Sequence, residues 1–214
     1  MREAMSGAQP IRILIAEDHL IARVGVTTIV NMQPDMTVVA EAANGQQAVE
    51  MFRKNLPDVT LLDLRMPGIT GLEAAAAIRR DYPKAKLIAL TTYGGDEDIR
   101  RALHAGVQAY LMKDILHDEL LKAIRAVHEG QTYLPASVAA ALAAQVPRPD
   151  LSVRELQVLE LIVAGLANKQ IAYTLNIAEY TVKNHVKNIL DKLAVQDRTQ
   201  AATVAIQRGI IHLS

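Results

Sequence analysis

Residues 11–19 read Ile-Arg-Ile-Leu-Ile-Ala-Glu-Asp-His. The first six are apolar at all but one position, which suits a strand covered on both faces, as in a buried parallel sheet. The run stops on two acids. In open parallel sheets, function gathers at the carboxyl edge of the strands, near the point where strand order switches. This stretch therefore proposes both a fold and the edge on which a site would lie.

Working outward, further apolar runs lie at Thr37–Ala42, Val59–Leu62, Lys86–Thr91 and Ala109–Met112. Helical patterns lie between and after them, at Leu20–Met32, Gly45–Lys54, Gly71–Asp81, Asp96–Ala105 and Ile115–Glu129. Asn44-Gly45, Pro57-Asp58, Pro67-Gly68 and Gly94-Gly95 punctuate them. Five βα units of this size predict an α/β doubly wound, five-stranded parallel sheet. The pattern changes at Gly130. Residues 130–150 contain Pro135, an Ala-rich helical stretch and Pro147-Arg148-Pro149, and read as a linker with a short helix. From Leu151 onward only helical patterns occur: a helix to Ala164 opened by a Ser152/Glu155 capping box and stopped by Gly165, then Asn168–Thr174, Glu179–Leu193 and Asp197–Gly209. The expected organisation is a domain over 10–129, a linker over 130–150 and a small all-α four-helix domain over 151–214.

Composition bounds the function. The absence of cysteine excludes disulfides, thiolate metal sites and cysteine nucleophiles. The longest apolar stretches, such as Pro135–Val146, are shorter than the ~20 residues a bilayer requires. Met1–Pro10 lacks the apolar core of a signal peptide. A soluble, cytoplasmic protein with no membrane partner is expected. Net charge is zero, yet Lys183, Lys187 and Lys192, with His185 among them, form a local basic stripe. Such a stripe matters more for nucleic acid than global charge does.

Glu17 and Asp18 follow the first strand, and Asp63 ends the third. If those strands are neighbours, three carboxylates converge, which is unfavourable unless a cation lies among them. Hard oxygen ligands with room for water suit Mg²⁺; the alternative is a set of solvated loop acids. Thr91 and Lys113 end the fourth and fifth strands and would point at the same edge. A carboxylate, a divalent cation, a hydroxyl and an ammonium together compose a phosphoryl-transfer site, with Asp63 as the nucleophile and Mg²⁺ and Lys113 offsetting charge on the phosphoryl oxygens.

With the stretch quoted first, Asp-Leu-Arg-Met-Pro-Gly-Ile-Thr-Gly-Leu-Glu (63–73), Leu-Thr-Thr-Tyr (90–93) and Ala-Tyr-Leu-Met-Lys (109–113) closely resemble a response-regulator receiver domain of flavodoxin-like fold across residues 11–129. The resemblance implies that Asp63 accepts phosphate from a sensor histidine kinase. It implies that Asp18, Asp63 and the backbone carbonyl of Arg65 hold Mg²⁺, that Glu17 assists through water, and that Thr91 and Tyr110 form the switch. Glu17 replaces a more frequent Asp, and Lys113 precedes Asp114 where many receivers have Pro. Phosphate on Asp63 would draw the Thr91 hydroxyl toward it and let Tyr110 rotate inward. The alternative for Tyr110 is a half-buried strand aromatic with no switching role.

The helices after Leu151 have helix-turn-helix spacing. Val182, Val186, Ile189, Leu190 and Leu193 follow helical periodicity and should face a core. The opposite face shows Lys183, Asn184, Lys187 and Asn188, the residue types that read a major groove, although an ordinary solvated amphipathic helix has the same pattern. Leu-Ser-Val-Arg-Glu (151–155), Gly-Leu-Ala-Asn-Lys-Gln-Ile-Ala (165–172), Thr-Val-Lys-Asn-His-Val-Lys-Asn-Ile-Leu (181–190) and Asp-Arg-Thr-Gln-Ala (197–201) resemble the LuxR-type effector of the NarL/FixJ subfamily. The resemblance implies base contacts from Lys183, Asn184 and Lys187, and phosphate contacts from Thr181, His185 and Lys169, with a packing role for His185 left open. It implies a homodimer on a double-stranded DNA operator, formed through Val204, Ala205, Arg208 and Ile211, with RNA polymerase as a possible further partner. It also implies that an unphosphorylated receiver can cover the recognition helix. Tyr180 departs from the basic residue usual before Thr-Val, and Ala178 stands where a Ser or Thr cap is frequent.

The expected function is transcription regulation by a non-enzymatic phosphoprotein of a two-component system. Two rival readings remain: a phosphatase and a docking module. Phosphatases working through an aspartyl phosphate typically carry a second Asp two residues after the nucleophile, where this chain has Arg65. A receiver serving only as a docking module would not need the acidic set with Thr91 and Lys113.

Overall fold

The computed structural model describes residues 9–92, 95–114, 117–143 and 151–212. The chain divides into two compact units, the first carrying the sheet and the second the last four helices. The elements up to residue 143 are β1 (Ile11–Ala16), α1 (Leu20–Asn31), β2 (Met36–Ala42), α2 (Gly45–Asn55), β3 (Val59–Asp63), α3 (Gly71–Asp81), β4 (Leu87–Thr91), α4 (Asp96–His104), β5 (Ala109–Met112), α5 (His117–His128) and α6 (Ala136–Ala143). The five strands are parallel in the order β2-β1-β3-β4-β5. Strand bounds agree with the sequence patterns to within one residue. The helix expected from Ile115 is described from His117; residues 115 and 116 lie outside the described residues.

The reason for these strands is burial on both faces. Every residue of β3 and β4 is buried, and Ile13, Leu14, Leu61, Leu62, Leu87 and Ile88 are essentially inaccessible to solvent. Each such side chain contributes about 1.5–3 kcal/mol through its removal from water. The helices are started by local chemistry. Asn44 caps α2 by accepting from Gln47 N at 2.9 Å. Thr70 and Glu73 form a reciprocal capping box on α3, with Thr70 N donating to Glu73 at 2.8 Å.

The expected linker is partly structured. Tyr133 bridges Ala109 in parallel, its N–H donating to the Gln108 carbonyl at 2.9 Å. Tyr133 also packs against the core beneath β5, so the stretch after Gly130 extends the sheet before α6 begins. The Pro147-Arg148-Pro149 segment lies outside the described residues.

The second unit comprises α7 (Val153–Val163), α8 (Asn168–Leu175), α9 (Glu179–Leu193) and α10 (Arg198–Gln207). Its core includes Val158, Leu159, Ile171, Val182, Ile189, Leu193, Ala201 and Ala205. Gly165, with φ of 84°, closes α7. The fourth helix is shorter than its pattern: Asp197 is its cap, accepting from Gln200 N at 2.8 Å, and Arg208 ends it.

Glu155 ties this unit together. Its Oε2 accepts from Ser152 N at 2.7 Å, closing the capping box of α7, and from Lys192 Nζ at 2.7 Å near the end of α9. Burial alone would push the Glu155 carboxyl up, but the bonds from Lys192 and Ser152 outweigh it and hold the carboxyl below the ordinary glutamate range. A depressed native value contributes stability above the unfolded value, and that contribution is lost as pH falls through the native one. Glu155→Gln is therefore expected to cost the helical unit about 2 kcal/mol near neutral pH. The difference from wild type should shrink on acidification below pH ~4, as read by urea denaturation at both pH values.

Candidate phosphoacceptor site and nucleic-acid interface

Sheet register assembles the acidic site. Ala16 pairs with Leu62, so the next residues, Glu17 and Asp63, emerge side by side from neighbouring strands. Asp63 pairs with Leu90, and Thr91 pairs with Met112. Thus β3 reaches one step beyond β1 and β4 one step beyond β3, while β4 and β5 end level. Lys113 follows directly, its N–H donating to the Thr91 carbonyl at 2.7 Å.

The side chains then meet at this edge. Lys113 Nζ lies 2.6 Å from Glu17 Oε2 and 2.8 Å from Asp63 Oδ2. The other Asp63 oxygen, Oδ1, accepts from Arg65 N at 2.9 Å. Glu17, Asp63 and Thr91 are buried and Asp18 is partly buried. Burial raises the Asp63 carboxyl above the ordinary aspartate range, against the bonds from Lys113 and Arg65 that pull it down. For Lys113, burial works downward, but hydrogen bonds to Asp63 and Glu17 prevail and hold its ammonium above the ordinary lysine value.

One ammonium facing three carboxylates leaves an excess of negative charge. Asp18 Oδ1 is shielded from solvent without a hydrogen-bond partner, and His19 Nδ1 lies 3.0 Å from it. One oxygen or nitrogen from each of Glu17, Asp18, His19 and Asp63 falls within 4.8 Å of the others. These residues fit a small divalent cation: hard oxygen donors, uncompensated charge and one face open to water. His19 was not singled out from sequence, although its place directly after Glu17-Asp18 was the available signal.

Two further residues shape the edge. Arg23 donates to the Glu17 carbonyl at 2.6 Å and lies 3.3 Å from Glu41, tying α1 to β1 and β2. Gly71, at the start of α3, is required by close approach: a Cβ there would lie 1.8 Å from the Asp63 carbonyl oxygen. Its N–H donates to the Leu64 carbonyl at 3.1 Å, which draws the loop after Asp63 back over the strand end. Tyr110 is fully buried, the inward of the two positions expected for it.

In the helical unit, α8 and α9 form the helix-turn-helix. Val182, Ile189 and Leu193 face the core, with Val186 and Leu190 packed against it. Lys183, Asn184 and Lys187 are exposed on the opposite face, and Lys169 is exposed on α8. Thr181 and His185 are half-buried beside that face. Lys183 pairs with Glu179 at 3.1 Å, one turn back. Ala178 caps α9 without a side-chain hydrogen bond, as its identity dictates. Of the residues expected at a dimer contact, Ala205 and Ile211 belong to the unit's own core and cannot also form its outer surface. Val204 and Arg208 are half-buried, and Ile206 is an exposed apolar side chain on α10.

Comparison with known proteins agrees with this division. Residues 13–125 match the response regulator receiver domain family, and residues 149–205 match the bacterial regulatory proteins of the luxR family. The nitrate/nitrite response regulator protein NarL of Escherichia coli K12 is 38% identical over 215 residues, covering 96% of this chain and 100% of NarL. The transcriptional regulatory protein LnrK of Bacillus subtilis is 38% identical, covering 94% of this chain and 98% of LnrK. Among solved structures, the response regulator ChrA of a heme-sensing two-component system shares 37% identity and a TM-score of 0.58, covering 95% of this chain and 100% of ChrA. The response regulator RcsB in complex with DNA shares 25% identity and a TM-score of 0.68, covering 93% and 99%.

The Asp63 environment makes a stability prediction. A carboxyl whose native value is raised binds its proton more tightly when folded, so stability falls as pH rises through that value and the deficit persists above it. Asp63→Asn should therefore raise the urea midpoint at pH 7 in the absence of divalent cations. An unchanged or lowered midpoint would show that the Lys113 contact outweighs the burial of Asp63.

Proposed function

Because the chain belongs to the two-component response regulators that join a receiver domain to a LuxR-type DNA-binding domain, and is thus a transcription regulator rather than an enzyme, we propose that Asp63 is its phosphoacceptor and that phosphorylation there controls DNA binding. The observation that carries this reading is the meeting of Glu17 and Asp63 on Lys113, with Asp18 beside the two carboxylates, at the switch point of the sheet. Response regulators act with sensor kinases. The partner here would be a sensor histidine kinase in the cytoplasm, and no described helix is long and apolar enough to cross a membrane.

In the transfer, an Asp63 carboxylate oxygen attacks the phosphorus of a phosphohistidine. The new O–P bond forms as the P–N bond breaks, and the electron pair leaves with the imidazole. Lys113 places a positive charge where the phosphoryl oxygens arrive, and Thr91 donates a hydrogen bond to one of them. Receiver domains generally bind Mg²⁺ at their acidic pocket; here Asp18, Asp63 and the Arg65 carbonyl would hold it, with Glu17 acting through water. When bound, the ion offsets charge on the transferring group. Raised above its ordinary value, the Lys113 ammonium stays charged throughout the neutral range.

For DNA, Lys183, Asn184 and Lys187 would read bases in the major groove, and Thr181, His185 and Lys169 would contact phosphates. Binding as a homodimer to a two-fold operator follows from how helix-turn-helix proteins use symmetry. Ile206 is the apolar surface that α10 offers to a second copy. RNA polymerase would be engaged downstream of operator binding.

The test is labelling by acetyl phosphate with and without Mg²⁺. Wild type should incorporate one phosphoryl group only with Mg²⁺, and Asp63→Ala none. Equal incorporation by Asp63→Ala would place the acceptor elsewhere.

A further inference from the structure

The recognition helix carries a side chain whose role the basic stripe leaves unassigned. Tyr180 is 72% exposed on the first turn of α9, in a chain with only six tyrosines and one phenylalanine. Val182, Ile189 and Leu193 fix which face of α9 is inward. At 3.6 residues per turn, Tyr180 then heads the outward ridge that continues through Lys183, Asn184 and Lys187. Those three are the proposed base readers, and a helix-turn-helix presents the N-terminal end of this helix to the base edges.

A phenol at that place differs in kind from the lysines behind it. It carries no charge near neutral pH, so it releases no counterion from the DNA backbone and adds nothing to salt-dependent affinity. Its ring offers flat apolar surface, and in the major groove the one apolar group is the thymine C5-methyl. The ridge places Tyr180 about 10 Å along the helix axis from Lys187, roughly three base-pair steps from the base that Lys187 would read. Ala178 gives the helix no side-chain cap that would cover the ring.

We propose that Tyr180 is a specificity-determining residue that selects thymine at one position of each half-site through contact of its ring with the C5-methyl group. This rests on the reading of α9 as the base-contacting helix, and the experiment separates the two. Duplexes enriched from a random pool by the full-length wild type supply the probe. Each thymine in the enriched sequence is then replaced by uracil, which removes only the methyl. Uracil at one position per half-site should weaken wild-type binding by about fourfold, the effect of one methyl group's burial. Tyr180→Ala should be insensitive at that position, and Tyr180→Phe should keep the sensitivity. Because Tyr180 is exposed, the alanine variant retains the fold, and its salt dependence should match that of wild type.

Lys187→Ala should keep the uracil effect while losing preference at a different base. If Tyr180→Ala retains every wild-type uracil effect, with or without a loss of affinity, the ring does not read the methyl group and the proposal fails. If Lys187→Ala also leaves all base preference intact, the reading of α9 fails and takes the proposal with it.

Discussion

Lys113 Nζ lies between the carboxylates of Glu17 and Asp63, within 3 Å of each, and the rest of the first unit is arranged so that this is tolerable. Two buried carboxylates on neighbouring strands repel each other and lose hydration. One ammonium from β5 offsets part of that cost, leaving Asp63 above and Lys113 above their ordinary values. The residual negative charge, with Asp18 and His19 beside it, suits this edge to a small divalent cation. Burying the Asp63 carboxylate there also lowers the stability of the fold that carries it.

The sheet supplies the placement. Parallel pairing of β1 with β3, β3 with β4 and β4 with β5 lines up residues separated by almost a hundred positions in the chain. Burial of both sheet faces fixes that register, because a one-residue slip would turn core side chains such as Leu61 and Leu62 to the opposite face. Gly71 adds a local constraint: only a residue without a Cβ lets α3 start against the Asp63 carbonyl. In the second unit, the pairing of buried Glu155 with Lys192 performs the corresponding task, joining the start of α7 to the end of α9 and so fixing the axis of α9.

Much of this was legible in the sequence, for a physical reason. Strands buried on both faces read as nearly continuous apolar runs, so Ile11–Ala16 and Ala109–Met112 emerge with the bounds the patterns assign. Acids at strand ends, a terminal Thr and a terminal Lys identify the site once the strand order is a doubly wound one. Contacts that depend on one atom's position were not legible. The Ser152/Glu155 spacing predicts a capping box, but the third partner, Lys192, lies 37 residues away. Periodicity shows that Val182 and Ile189 face inward, yet α10 has polar and apolar residues spread around its axis, and nothing in its spacing shows that Ala205 and Ile211 complete the unit's own core. The pairing of Tyr133 with Ala109 likewise falls where composition reads as linker.

Control of DNA binding through Asp63 requires that chemistry at one unit change what the other does. The most direct measurement is the affinity of the full chain for an enriched duplex, together with its mass in solution, before and after treatment with Mg²⁺ and acetyl phosphate, for wild type and Asp63→Ala. The account predicts that treatment produces dimers and tighter binding in wild type alone. Equal affinity and mass for both proteins under both conditions would leave the helix-turn-helix as a DNA reader but contradict control through Asp63.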